Sequence, residues 1–408
     1  MLLKLAWRNL ARNRRRTLIT GGAVAYGLAM LVFSSAVGEG VTSGMLARGI
    51  GGGAGTVAVQ GPGWQDERKV EQVVPDSTAA AATVTEALPE ATVTRRLFVR
   101  GLLTSPSGSS SVSVTAVDAV PEAMVNDWAD QIVEGTYLDG EPGGIVVGRT
   151  LAETLDVEVG DKVVLMAKGA GEMESHLFRV SGMFATGLDD IDGFCAQVPL
   201  AAAQEMLGVG DGANQVAAHL PHVRDTRRAT RSLQDAFAGA DVEVLSWKDA
   251  LPELHEYTTY YRVQTYLAFV VMFAMIGLGI VNVVLMSVLE RMREFGVMLA
   301  LGTGPRQLAA LVMTEAALLG LVASAAGVVL GLLMSWPFAV WGMEFSQFFG
   351  GNTVEVAGIA LITRLYAEVI PLKVVVFTAA VWLITTAAAL YPAYKAATLT
   401  PIECLQTQ

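Results

Sequence analysis

Residues 266–289 read YLAFVVMFAMIGLGIVNVVLMSVL, and residues 290–302 continue as ERMREFGVMLALG. The first run has 24 positions and no charge. A helix rises about 1.5 Å per residue, so roughly 20 apolar residues cross a hydrocarbon core about 30 Å thick. Three more runs are free of charge: Thr17–Gly38, Ala316–Met343 and Val374–Tyr394. One such run would fit the buried core helix of a large soluble protein. Four of them in a chain of 408 residues with 16% charged residues predict a membrane protein with four transmembrane helices, one before and three after a large insertion. A mean hydropathy of +0.47 agrees. The run at Thr17–Gly38 follows basic residues, as the core of a signal peptide does. Its 22 residues exceed such a core, and it is expected to stay as an anchor.

Charge gives the orientation. Lys4, Arg8, Arg12, Arg14, Arg15 and Arg16 precede the first run, and no acid stands among them. Arg291, Arg293 and Arg306 lie between the second and third runs, and Lys395 follows the fourth. Basic residues mark cytoplasmic flanks, so both termini and the 290–307 segment are expected in the cytoplasm. Residues 40–262 and a shorter loop at 344–371 then lie outside it. Leu2, Leu3, Leu5, Ala6, Trp7 and Leu10 recur near helical spacing between the basic residues, which predicts an amphipathic helix on the inner membrane surface over residues 1–16.

The insertion, residues 40–262, holds 16 basic and 31 acidic residues, a net of −15, within a total of −11. That balance argues against nucleic acid as a partner. Alternating apolar stretches predict strands at 56–60, 92–99, 111–117, 144–147, 162–166, 176–180, 215–220 and 242–245. Helices are expected at 77–88, 121–128, 150–155, 199–207 and 223–237. Residues 157–165 read as strand, turn and strand around Gly160-Asp161. The pattern is an α/β layer built from both ends of the segment, with a β-rich subdomain inserted at about 118–214. The glycines at 49–55 (GIGGGAG) make either a loose joint or a close-packed start of the external domain.

Catalytic constellations are missing from the sequence. It contains no GxSxG, HExxH or GxxxxGK[ST], so no enzyme activity is expected from this chain itself. Asp189, Asp190 and Asp192 lack the spacing of a calcium loop and read as a solvated turn. Two cysteines, Cys195 and Cys404, and four scattered histidines make no metal site. On this topology the cysteines face opposite sides of the membrane, which excludes a disulfide within the chain. Within the spans Asn282 is a candidate for a hydrogen bond between helices. Gly277 and Gly279 would permit close approach, and Gly320, Ala323, Gly327 and Gly331 form a packing ridge. Pro337 removes a backbone donor near the outer end of the third span.

Three segments resemble the signatures of the FtsX-like and MacB-type ABC transporter permeases. They are residues 290–302, the N-terminal LAWRNLARNRRRT at 5–17, and YPAYKAA at 391–397 with Thr400-Pro401. The resemblance implies a type VII ABC fold. That is an α-helical membrane protein of four transmembrane helices (1+3) and a large extracytoplasmic α/β domain with an inserted β-rich subdomain, at 118–214. The layout is closest to the stand-alone lipoprotein-releasing permeases. It implies transmembrane helices at 17–39, 263–289, 308–343 and 372–394, a periplasmic MacB-like domain at 40–262, an external loop at 344–371 and a cytoplasmic tail at 395–408. The segment 290–307 would carry a coupling helix, with Arg291, Arg293, Glu294, Phe295, Gly296, Leu299 and Gly302 engaging a cytoplasmic ABC ATPase dimer. ATP and Mg would be bound by that partner and no cofactor by this chain.

The resemblance further implies a second permease chain, identical or paralogous, and a periplasmic lipoprotein chaperone or membrane-fusion adaptor, all at the bacterial inner membrane. Substrate or dimer-interface candidates are Val32, Val270 and Asn282. The expected output is lipoprotein release. Efflux through an adaptor and signalling to a periplasmic partner are the alternatives.

Overall fold

The computed structural model describes residues 5–8, 12, 14–138, 143–169, 171–187, 189–344, 355–356, 359–360 and 364–398. Parts of the expected N-terminal amphipathic helix, most of the expected external loop, and the tail from residue 399 with Cys404 lie outside the described residues. The chain divides into two compact units, one holding Met45–Tyr257 and the other Thr258–Glu344 with the N-terminal residues to Gly44 and those from Arg364 on.

The Met45–Tyr257 unit is built on a ten-stranded sheet: β1 (Val57–Gln60), β2 (Thr92–Thr104), β3 (Ser109–Val117), β4 (Ile132–Gly135), β5 (Gly144–Gly148), β6 (Lys162–Lys168), β7 (Met173–Phe184), β8 (Cys195–Pro199), β9 (Gln215–His219) and β10 (Glu243–Ser246). The order β10-β1-β9-β2 is antiparallel throughout. Beyond it the pairings β2-β3, β3-β8, β8-β5, β5-β7, β7-β6 and β6-β2 close a ring of six strands. A ring that small is filled by side chains. Leu97, Val114, Ile145, Leu165, Phe178 and Val198 fill this one, all within 1% of full burial.

Strand β2 serves both parts. Thr92–Arg96 pair with β9, and Gly101–Thr104 pair on the same side with β6. In the gap the Phe98 amide donates to Asn214 Oδ1 at 2.9 Å, which satisfies a donor that has no strand partner there. A side chain at Gly101 would place its Cβ 2.4 Å from the Met166 carbonyl oxygen, hence the glycine.

Helices cover the sheet. Helices α2 (Ser77–Ala87) and α5 (Thr226–Ala236) pack Ala80, Val84, Ala229 and Leu233 on the β1 and β9 residues Val57, Val59, Val216 and Ala218. Asp76 caps α2 by accepting from the Ala79 amide at 3.0 Å. Helices α3 (Arg149–Leu155) and α4 (Leu200–Leu207) bury Leu151, Leu155, Leu200 and Met206 against the six-stranded ring.

Several expectations need correcting here. Residues 157–159 are not a strand: the Val157 amide donates to Ala152 O, which ends α3, and Gly160 takes the turn at φ +100°. The helix expected at 121–128 is a single turn at Ala119–Ala123. Strands β4 and β8 fall outside the expected set, because Val133, Glu134 and Gln197 blur the alternation.

Among the described residues four helices are long and apolar enough to cross a membrane: Thr17–Gly52, Pro252–Glu290, Pro305–Val340 and Pro371–Ala397. They belong to α1 (Arg14–Gly52), α6 (Pro252–Glu290), α8 (Pro305–Val340), and α9 (Pro371–Ala388) with α10 (Leu390–Ala397). Between α6 and α8 lies the short α7 (Met292–Ala300).

The small-residue ridge of α8 brings backbones together. A Cβ on Gly327 would lie 2.7 Å from Ala25 O of α1, one on Gly331 2.8 Å from Val32 Cβ, and one on Gly320 2.9 Å from Thr385 Cγ2 of α9. Gly277 faces Ile384 closely, whereas Gly279 faces open space. Phe269 and Phe377 join α6 to α9, ring centroids 5.0 Å apart. Pro337 falls in the last turn of α8, near where the helix stops at Val340.

Candidate functional site

Helix α7 is nine residues long, shorter than the roughly 12–15 residues at which isolated helices become even marginally stable. Tertiary contacts must therefore hold it. Phe295 is the main one: it is 1% exposed and packs with Val288, Leu308, Val312, Ala393 and Ala396. Gly296 is buried beside it, and Leu299 adds a half-buried contact.

Arg291, just ahead of the helix, ties it down electrostatically. Its Nη1 donates to Glu315 Oε2 on α8 at 2.8 Å, and its Nε donates to Glu294 Oε2 at 3.0 Å. The guanidinium also lies over the Phe295 ring, 5.1 Å from its centroid. Burial of Glu294 works to raise its carboxyl pKa. Hydrogen bonding and charge from Arg291, and then from Arg12 at 2.6 Å, outweigh that effect and hold the group below the usual carboxylate range. Beside the Arg291–Glu315 pair is a crevice of about 40 Å³, lined also by Thr17, Thr20 and Phe295, with room for a few waters.

The far end of the helix stops at a glycine. Gly302 takes φ +92°, its amide donates to Leu299 O, and the Thr303 amide donates to Met298 O. Pro305 then begins α8 in its first turn.

The structure therefore splits the expected coupling residues into two sets. Arg291, Phe295 and Gly296 face inward and fix the helix. Arg293 and Glu294 face outward, and with them Val297 and Leu301, the latter 82% exposed. Sequence reading missed Val297 and Leu301. The signal for them was the spacing: Arg293, Val297 and Leu301 recur every four residues, one stripe of a helix.

The three other candidates are scattered. Val32 is buried in the bundle against Gly331, Val270 is exposed on α6, and Asn282 is exposed on the same helix. Among the described residues no group of three or more His, Cys, Asp or Glu side chains is placed to hold a metal ion.

Comparison with known proteins covers both units. The profile of the MacB-like periplasmic core domain matches residues 17–236, and that of the FtsX-like permease C-terminal region matches residues 266–401. The chain is 25% identical over 362 residues to the lipoprotein-releasing system transmembrane protein LolC of Xylella fastidiosa (strain 9a5c), covering 86% of this chain and 84% of the relative. It is also 25% identical over 382 residues to the macrolide export ATP-binding/permease protein MacB of Rhodospirillum rubrum, covering 91% of this chain and 58% of that longer protein. Among solved structures, the periplasmic region of MacB from Actinobacillus actinomycetemcomitans aligns over 50% of this chain and 94% of its own, at 13% identity and a TM-score of 0.36.

Proposed function

The chain belongs to the FtsX-like permeases with a MacB-like periplasmic core domain, which makes it an ABC-transporter permease of the MacB and LolC type, and from that premise we propose that it serves lipoprotein release at a bacterial inner membrane. A separate cytoplasmic ATPase dimer hydrolyses ATP and docks on α7. Both termini and α7 face the cytoplasm, and the Met45–Tyr257 unit faces the periplasm. Two permease chains form the core of the complex.

The observation that carries this reading is α7 itself. It is too short to stand alone and is fixed from beneath by Phe295 and Arg291, yet it presents Arg293, Glu294, Val297 and Leu301 outward. A surface held that firmly, with apolar anchors between charges, is what a docking partner needs: the charges set register and the apolar residues bury area.

Lipoprotein is the preferred cargo because the match to LolC runs over most of both chains. A lipid-anchored substrate would meet the exposed apolar side of α6, where Val263, Leu267, Val270 and Leu278 are all more than 60% exposed and no charge intervenes. The likeness to MacB favours a second reading, export through a periplasmic adaptor.

A photo-crosslinker at Val270 separates the two. Lipoprotein captured there, and lost when ATP is added to the complex with its co-purifying ATPase, supports release. An adaptor that co-purifies while Val270 captures no lipoprotein supports export. Val32 is buried in the bundle, so a crosslinker there reports helices parting.

A further inference from the structure

The glycine run at 49–55, expected as either a loose joint or a close-packed start of the external domain, is closed tightly. At Gly51 a Cβ would lie 2.3 Å from Val125 O, and at Gly55, where φ is +67°, 2.9 Å from Ala217 Cβ. Helix α1 ends at Gly52, so the last carbonyls of a 39-residue helix must find donors inside this packing.

Arg96 supplies them. Its Nη2 donates to Gly51 O and its Nη1 to Gly53 O, and the latter also accepts from Gln215 Nε2 at 2.9 Å. The same guanidinium forks onto Glu122, Nε to Oε2 at 2.9 Å and Nη2 to Oε1 at 2.8 Å, and Asn126 Nδ2 donates to Glu122 Oε1 at 3.1 Å. Arg96 is 0% and Glu122 1% exposed. Removing two charges from water this completely is costly, and a buried ion pair is weak evidence for stability. What this pair contributes is a fixed geometry, since a planar fork bonded to four oxygen atoms on three residues has one orientation.

The neighbouring residue strengthens the placement. Strand alternation sends Arg95 to the other face, where it forks onto Asp118 at 2.8 and 3.0 Å. The turn Asp118–Glu122 is thus held from both faces of β2. Ala54 also packs with Ala250 and Leu251, at the start of α6.

We propose that the Arg96–Glu122 pair is the rigid joint through which α1 moves the sheet: it locks the outer end of the helix to β2, so that a displacement of α1 is delivered to the periplasmic unit and not absorbed by the glycines. The role as a transmission element rests on the proposed transport function; the rigidity of the joint does not.

Spin labels at Ala47 on α1 and Ser109 on the sheet, in the full chain in nanodiscs with Cys195 and Cys404 replaced, measure the joint directly. The unaltered pair should give a narrow distance distribution. Arg96→Met with Glu122→Leu removes the guanidinium and its counter-charge together, keeps an apolar filling, and should broaden the distribution at least about twofold while the chain stays folded. With the co-purifying ATPase, the unaltered chain should hold this distance unchanged through ATP turnover, because the end of α1 and the sheet move together, whereas the variant, with turnover kept within about twofold, should show an ATP-driven change in it.

An equally narrow distribution in the double variant overturns the joint. Hydrogen exchange of the unaltered chain gives a second measurement independent of any variant. Amides 50–55 should exchange as slowly as those of β2, and exchange about a hundredfold faster would overturn the proposal. A narrow distribution that holds through ATP turnover in an unaltered complex that releases no substrate leaves the joint standing and counts against the transport function.

Discussion

Replacing Phe295 with alanine should free α7 without touching its outer face. The ring is 1% exposed and fills the space between Val288, Leu308, Val312, Ala393 and Ala396. Deleting a buried phenylalanine side chain costs about 3–5 kcal/mol, part for lost burial and part for the cavity left behind. The Arg291 guanidinium loses the ring face 5.1 Å away, worth about 0.5–1 kcal/mol more. A nine-residue helix has little of its own to set against such a loss.

Hydrogen exchange read by mass spectrometry on the full chain in nanodiscs is the assay. At about 1.4 kcal/mol per factor of ten, the lower figure already predicts that amides 292–300 exchange at least about a hundredfold faster in Phe295→Ala. Val297→Ala, on the exposed face, should change them less than about threefold. Unchanged exchange in Phe295→Ala, or equal loosening in both variants, would refute the division of α7 into an inner anchor and an outer face.

Three other outcomes follow from the same structure. Glu294→Lys opposes Arg291 and Arg12 with a third positive charge and should abolish transport while membrane insertion is retained, as measured by lipoprotein release from spheroplasts; normal release would remove Glu294 from the proposed docking surface. His219 in β9 is held neutral, with its pKa lowered to about 3 by burial first and the charge of Arg96 second, and its Nε2 lies 3.0 Å from the Thr94 hydroxyl. Below about pH 6.5 the unfolded chain binds a proton there that the folded chain refuses. Stability should therefore fall by about 2 kcal/mol between pH 7 and pH 5, and His219→Gln should lose less in thermal unfolding. For topology, cysteines introduced at Ser109 and Thr303 in a chain lacking Cys195 and Cys404 should label differently. An impermeant thiol reagent should reach Ser109 from outside sealed cells and Thr303 only after lysis.

The membrane helices were legible because composition alone marks them, but their ends were not. Charge-free runs place the first span at 17–38, whereas α1 continues through Glu39 and Arg48 to Gly52. A single charge does not end a helix. The helix stops at Gly52, where Gly55 takes φ +67° and its amide turns back onto Ile50 O, and the groups that pack on Gly51 and Gly53 come in part from β2 and the 119–125 turn, far away in sequence. The same nonlocality hid the ring of six strands, since the β2–β6 pairing joins residues about 60 positions apart.

In α7 the amphipathic signal was ambiguous. Phe295 and Leu299 lie on one face and Val297 and Leu301 on another, and a helix proposed to meet both its own bundle and a partner needs apolar residues on each. Only the packing against α8 and α10 distinguishes them.

The central claim is that ATP hydrolysis by a separate ATPase is spent through this chain on releasing lipoprotein. Proteoliposomes holding the full chain, its co-purifying ATPase and a fluorescent triacylated lipoprotein test it most directly, with release to a soluble acceptor followed over time. The account predicts release that requires ATP and is abolished by Glu294→Lys. ATP turnover at full rate with lipoprotein left in the membrane would contradict it.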